Sequence, residues 1–172
     1  MIKTQFIFLS VLILGLFVHN EGLTQPQFTA NKGQFHPNVE FQLDHAAGRF
    51  YFQKNKIKYH LFDKNKIHEI KHGETDDPLV NIHTYETVFL GSNSGEVAGV
   101  NEHSFHENYF IGNDSTKWAN KVPVYKEIKY NNIYDGIDLH FYEGFGHLKY
   151  DFIIKPKQSV KDIKIQFNGL NK

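Results

Sequence analysis

The chain has 172 residues, enough for one domain with its own hydrophobic core, and 19 basic residues balance 19 acidic ones. Because the formal net charge is zero, no long-range field favours nucleic acid or an anionic membrane as a partner. The sequence contains no cysteine, which excludes a thiol nucleophile, a cysteine-ligated zinc and a lipid anchor on cysteine. Among exported proteins, the absence of disulfides is typical of bacterial periplasmic or surface proteins.

Residues 1–24 are predicted to be a signal peptide. Lys3 supplies a positive charge, and the apolar run that follows, Phe6–Val18, is too short for a comfortable membrane span. We expect cleavage between Asn20 and Gln27, with no stable membrane span afterwards; an uncleaved anchor is the alternative. With a cleaved signal peptide, we expect export to the surface or exterior of a Gram-negative bacterium. Residues 25–172 are then predicted to form a single β-rich domain.

The first half of the mature chain predicts three strands and then a polar excursion. Residues 27–38 are polar and rich in turn formers. Apolar and polar residues alternate over 39–52 in a hairpin that turns at 46–48, and a third strand covers 57–62. Residues 63–78 are charged and end in Asp-Asp-Pro, which indicates a long exposed excursion rather than a helix of more than two turns.

The second half predicts further short strands, over 80–90, 97–101, 122–130 and 160–167. Pro123 indicates an edge strand or a strand start. The clearest hairpin pairs residues 137–142 with residues 148–154. The sequence therefore predicts an all-β fold, an antiparallel β-sandwich or a barrel-like pair of sheets built from hairpins.

An ordered series of six short motifs carries a family resemblance. The series comprises Asn31-x-Gly33-Gln34, residues 108–114 followed by Trp118, residues 122–130, residues 134–139, residues 148–156 and residues 163–169. It resembles the uncharacterised N-terminal β-rich domain of large exported bacterial surface proteins, which often carry SBBP-type β-propeller repeats or gliding-motility-associated C-terminal sorting domains. The resemblance implies a non-enzymatic surface module without cofactor, the N-terminal part of a longer surface protein.

One catalytic motif is present, a literal H-E-x-x-H at His68, Glu69 and His72. On a helix, two histidines four residues apart share a face and can ligate zinc, while the glutamate activates a bound water. Its surroundings favour an exposed polar loop instead, because lysines precede it, Gly73 ends it and the third ligands of the known zinc-protease patterns are missing.

Two carboxylates in the main hairpin are candidates for a cation site. If its turn is centred on residues 144 and 145, Asp138 faces Asp151 and His140 faces Lys149. Facing carboxylates repel unless a cation or a shared proton compensates. The alternatives are a lysine or arginine from a third strand, or a bulge that changes the register.

Aromatic side chains supply a third candidate site, for a glycan or a partner strand. Its members are Trp118, Tyr125 and Tyr142, with Tyr109, Tyr130 and Tyr134. The alternative places Trp118 in the core with a satisfied indole N–H.

The leading hypothesis is an exported, non-catalytic module that serves adhesion, assembly or presentation of downstream domains, with protein or polysaccharide at the cell envelope as its partner. A glycan-binding module and a zinc-dependent hydrolase are the alternatives.

Overall fold

The computed structural model describes residues 26–45, 47–144 and 147–170, with the exception of the Lys117 side chain. The predicted signal peptide lies outside them. About 55% of the structure is strand and 10% helix, in a curled antiparallel sheet that forms a half-barrel, which confirms the all-β, barrel-like prediction. No helix in this part of the chain is both long and apolar enough to cross a membrane.

Ten strands and one α-helix make up the described part of the chain. The strands are β1 (Phe28–Ala30), β2 (Phe41–His45), β3 (Gly48–Phe52), β4 (Lys56–Phe62), β5 (Ile82–Phe89), β6 (Val97–Tyr109), β7 (Ala119–Tyr134), β8 (Ile137–Gly144), β9 (His147–Ile154) and β10 (Ile165–Asn168). Helix α1 (Lys64–His72) joins β4 to β5, and single 3₁₀ turns lie at Ser115–Lys117 and Val160–Asp162.

Strand β7 is the central strand of the sheet, with neighbours on both edges. Its Tyr125 pairs with β6 on one edge and with β1 on the other, and its Ile128 pairs with β6 and β8 in the same way. Strands β1 and β8 therefore lie one after the other along the same edge of β7. Two arms extend from that edge, one running β1-β2-β3-β4-β5-β10 and the other β8-β9, and the sheet curls so that their inner faces meet.

Aromatic side chains fill the space between the two arms. The ring of Phe52, fully buried on β3, makes edge contacts with Phe28 on β1 at 5.3 Å and with Phe141 on β8 at 5.2 Å. The Tyr130 hydroxyl, inside the core, donates to the backbone carbonyl of Gln53 at 3.0 Å. One core cluster thus connects both arms with β7.

Several strands differ from the sequence-based expectations. Strand β6 continues to Tyr109, well past residue 101, and β7 is 16 residues long. Pro123 lies in the first part of β7, which pairs with β6 alone because pairing with β1 begins at Val124, so the local edge position agrees with the prediction. The β6–β7 register also shifts there, a position that tolerates a missing N–H. Residues 27–38 were expected to form turns, but Phe28–Ala30 forms the short strand β1. Pairing with β2 and β7 there outweighs the polar composition of the segment.

The excursion between β4 and β5 contains a helix of about two and a half turns, so the expectation of a loop was wrong there. The Asp63 side chain caps its first turn by accepting from the N–H groups of Asn65 and Lys66. Gly73, with φ of 68°, ends it in the left-handed conformation. These caps stabilise the helix although none of its residues is fully buried.

Candidate functional site

A groove of about 660 Å³ lies on the convex face of the sheet, opposite the core. We call it the convex-face groove. Its floor consists of polar side chains that alternate with core residues along three adjacent strands. They are Gln42 and Asp44 on β2, Arg49 and Tyr51 on β3, and Lys58 and His60 on β4. The strand register aligns them in two rows, Gln42–Tyr51–Lys58 and Asp44–Arg49–His60.

The wall of the groove comes from the loop between β1 and β2 and from the end of β6. Phe35 packs edge-on against Tyr109 at 5.5 Å. Asn31 holds the loop in place: its Nδ2 donates to the carbonyls of His36 and Val39, and its Oδ1 accepts from two backbone N–H groups. The wall is therefore formed before any ligand binds, which lowers the entropic cost of binding.

Glu107 supports the same wall from beneath. Its carboxylate accepts a hydrogen bond from Thr29 at 3.1 Å and a short one from the Tyr109 hydroxyl. Burial and the neighbouring Glu107 raise the pKa of Tyr109, so the phenol stays protonated as a donor. This interaction fixes the ring that faces the groove.

The floor carries positive charge that is only partly compensated. Arg49 Nε lies 2.6 Å from Asp44 Oδ1, whereas Lys56 and Lys58 share one carboxylate, Glu86, at 3.0 and 3.3 Å. Burial, followed by the nearby lysine and arginine charges, lowers the pKa of His60, which favours its neutral form. The groove thus offers cations, side-chain amides and an aromatic ring within one surface.

The H-E-x-x-H residues lie elsewhere, on α1. His68 and His72 are exposed on one face of the helix with ring centroids 4.2 Å apart, as their spacing requires. Glu69 pairs with Lys66 at 3.7 Å. Within the described residues no group of three or more histidine or acidic side chains is placed to hold a metal ion.

The predicted facing of Asp138 and Asp151 is wrong, because the hairpin register differs by two residues. Asp138 lies opposite Ile153, and Asp151 lies opposite His140. Asp138 is instead compensated from β7, where Lys129 Nζ lies 2.9 Å from its Oδ2. Although burial opposes the shift, the N–H of Asn132 and the Lys129 charge hold the pKa of Asp138 below its usual value.

The aromatic candidates have separate neighbours. Trp118 is 44% exposed, so it is not buried in the core. Its ring packs on Phe110, and its indole N–H donates to the Gly112 carbonyl. Tyr125 packs against the core beside Phe41. Tyr142 lies on the convex face and donates to Asp151 at 2.8 Å.

Sequence reasoning passed over the residues of the groove floor. The signal was present, because residues 42, 44, 49, 51, 58 and 60 are polar and alternate with apolar ones in three consecutive predicted strands. What the sequence lacked was the register that brings the three strands side by side.

The fold and the groove define the class of protein, a curled antiparallel half-barrel with a polar groove on its convex face. The sequence profile of a domain family of unknown function, DUF7948, matches residues 28–172, and the chain belongs to that family. No curated protein matches the chain. No solved structure matches it either.

Proposed function

We propose that this protein is an exported, non-catalytic binding module of the bacterial cell envelope, and that the convex-face groove binds polysaccharide there. The module would serve adhesion, assembly or the presentation of further domains. The apolar run Phe6–Val18 behind Lys3 supports export, and the cysteine-free composition agrees with a bacterial surface protein.

The observation that carries the proposal is the preformed groove. Sugars present hydroxyl groups to amides and charged side chains, and apolar ring faces to aromatic side chains. The groove offers the exposed Asn38 and the partly exposed Arg49 for the first kind of contact and Tyr51 for the second. At about 660 Å³ it lies within the size range of ligand sites.

Retention of the mature chain on immobilised cell-wall polysaccharides tests the proposal. We expect Tyr51→Ala to weaken retention about tenfold or more, because it removes the ring at the centre of the floor. Tyr142→Ala, on the same face but outside the groove, is the matched control and should be retained like the parent. If retention were lost in Trp118→Ala and kept in Tyr51→Ala, the ligand would bind at the exposed Phe110–Trp118 pair instead.

We propose further that the domain precedes SBBP-type propeller repeats or gliding-motility sorting domains in larger proteins. The order of the six motifs between Asn31 and residue 169 supports this placement. Surface presentation is tested with an epitope tag on residue 170 and antibody labelling of intact cells. If the tag stays inaccessible while a known surface protein is labelled, the proposed surface presentation is contradicted.

A zinc-dependent hydrolase is the second candidate, favoured by one observation: the H-E-x-x-H residues do lie on a helix, with both histidines on one face. Metal analysis of the chain purified without chelator tests it. About one zinc per chain, lost in His72→Ala and kept in the exposed control His106→Ala, would support the hydrolase. A chain without zinc would contradict it.

A further inference from the structure

The two arms of the sheet leave an apolar opening where their ends approach, between β5 and β10 on one side and β8 and β9 on the other. We call it the apolar wedge. At its narrow end the rings of Phe89 and Phe152 meet edge-on at 6.5 Å. Beyond this contact lies a cavity of about 210 Å³, bounded by Tyr59, Tyr85 and Phe141.

Large apolar side chains at this opening are exposed. Tyr150 on β9 and Phe167 on β10 are each 57% exposed, and Ile165 is 36% exposed, yet all three line the cavity. Their positions alternate with outward residues along each strand, so they point into the half-barrel and not away from it. Contiguous exposed apolar surfaces are rare on folded proteins and are typical of interaction sites.

The strands on either side of the wedge have free edges. In the described part of the chain, β9 pairs with β8 alone and β10 with β5 alone. Neither His147–Ile154 nor Ile165–Asn168 contains proline, which would block addition of another strand. The backbone of β9 therefore offers a template eight residues long beside an apolar cavity.

The cavity volume limits what can enter. An apolar cavity of about 150 Å³ holds one benzene ring. The 210 Å³ of the wedge thus accommodates a single aromatic side chain, but not a lipid or a cofactor. The polar groups in its lining are the hydroxyls of Thr87, Tyr59, Tyr85 and Tyr150. Among the described residues no lysine, arginine, aspartate or glutamate lines it, so an uncharged ring fits best.

We propose that the apolar wedge binds an extended segment of another polypeptide, which adds as a strand to the free edge of β9 and inserts one aromatic side chain into the cavity. Backbone hydrogen bonds along β9 supply affinity, and the cavity selects the inserted side chain. This site lies on the inner face of the sheet and is separate from the convex-face groove.

A labelled seven-residue peptide tests the proposal. It alternates threonine with valine, carries phenylalanine at its centre, and has a lysine at each end for solubility. Its twin has the same side chains but N-methyl groups on the residues that would face β9. We expect saturable binding by fluorescence anisotropy, weakened about tenfold or more in the twin and in a peptide with central alanine.

Protein variants locate the binding. Tyr150→Lys places a charge at the opening and should weaken binding by a similar factor. Phe110→Lys, at a similarly exposed residue outside the wedge, is the control, and far-UV circular dichroism checks that both variants fold.

Three outcomes would overturn the proposal. Equal binding of the peptide and its N-methylated twin would exclude strand addition. Binding of p-cresol without binding of the peptide would make the wedge a small-ligand cavity. A concentration-dependent dimer abolished by Tyr150→Lys would make a second copy the occupant.

Discussion

Gly48, the first residue of β3, lies so close to the neighbouring strand that no side chain fits. A Cβ there would approach the His60 carbonyl oxygen to 1.9 Å, and φ is +152°. Gly33 also has positive φ, +104°, but open space around it. Gly48 therefore combines a steric requirement with a conformational one, whereas Gly33 has the conformational requirement alone.

We predict that Gly48→Ala lowers the free energy of unfolding by about 3 kcal/mol, because backbone must move to admit the methyl group. Gly33→Ala should cost only about 1 kcal/mol, the strain of a left-handed conformation. Urea denaturation of both variants measures the difference. Equal losses would mean that β3 and β4 are further apart than the structure shows.

The ionisation of Asp138 makes the free energy of unfolding depend on pH. Its folded pKa is lowered, so the unfolded chain binds more protons in acid. The ion pair with Lys129 therefore contributes fully above the unfolded pKa of about 3.9 and is lost as the pH falls through the lower folded value. Asp138→Asn should cost about 2 kcal/mol near neutral pH and flatten this acid dependence.

The control for this prediction is the exposed Asp76, changed to asparagine. Urea denaturation from neutral to acidic pH should give Asp76→Asn the parent profile. An unchanged acid dependence in Asp138→Asn would show that other carboxylates determine it.

Among the elements, helix α1 depends on its caps more than on packing. We predict that Asp63→Ala, which removes the acceptor for Asn65 and Lys66, destabilises the helix by about 1 kcal/mol. Hydrogen exchange of the amides in Lys64–His72 should accelerate about fivefold, while amides in β7 remain protected. Uniform acceleration across the sheet would show instead that the helix belongs to the cooperative core.

The caps of α1 were visible in the sequence, as an aspartate before the segment and a glycine after it. The charged composition and the two isolated isoleucines masked them, because amphipathic periodicity is weak in a helix that buries so little.

The main hairpin shows a different limit of sequence-based prediction. Its strands were predicted, but a two-residue change of register kept the faces and altered every facing pair, so Asp138 met Lys129 and not Asp151.

At the scale of the whole molecule, one core cluster joins both arms of the sheet. We predict that Phe52→Ala costs about 4 kcal/mol, because its ring contacts Phe28 and Phe141 on different arms. Unfolding should remain a single transition with an unchanged denaturant dependence. Phe110→Ala, at a residue 64% exposed, should change stability by about 0.5 kcal/mol or less. Two separate transitions in the parent would contradict a shared core.

The sequence by itself determined the all-β class, most strand positions and the inner faces of the hairpins, because alternation of apolar and polar residues is a local property of the backbone. Tertiary structure decided which strands are neighbours. Strand β7 carries β1 and β8 on the same edge, and this long-range pairing curls one sheet into a half-barrel. The same pairing aligns Tyr51 with Lys58 in the convex-face groove and leaves the apolar wedge open between β9 and β10. Such pairings join residues far apart in the chain, so local sequence patterns do not specify them.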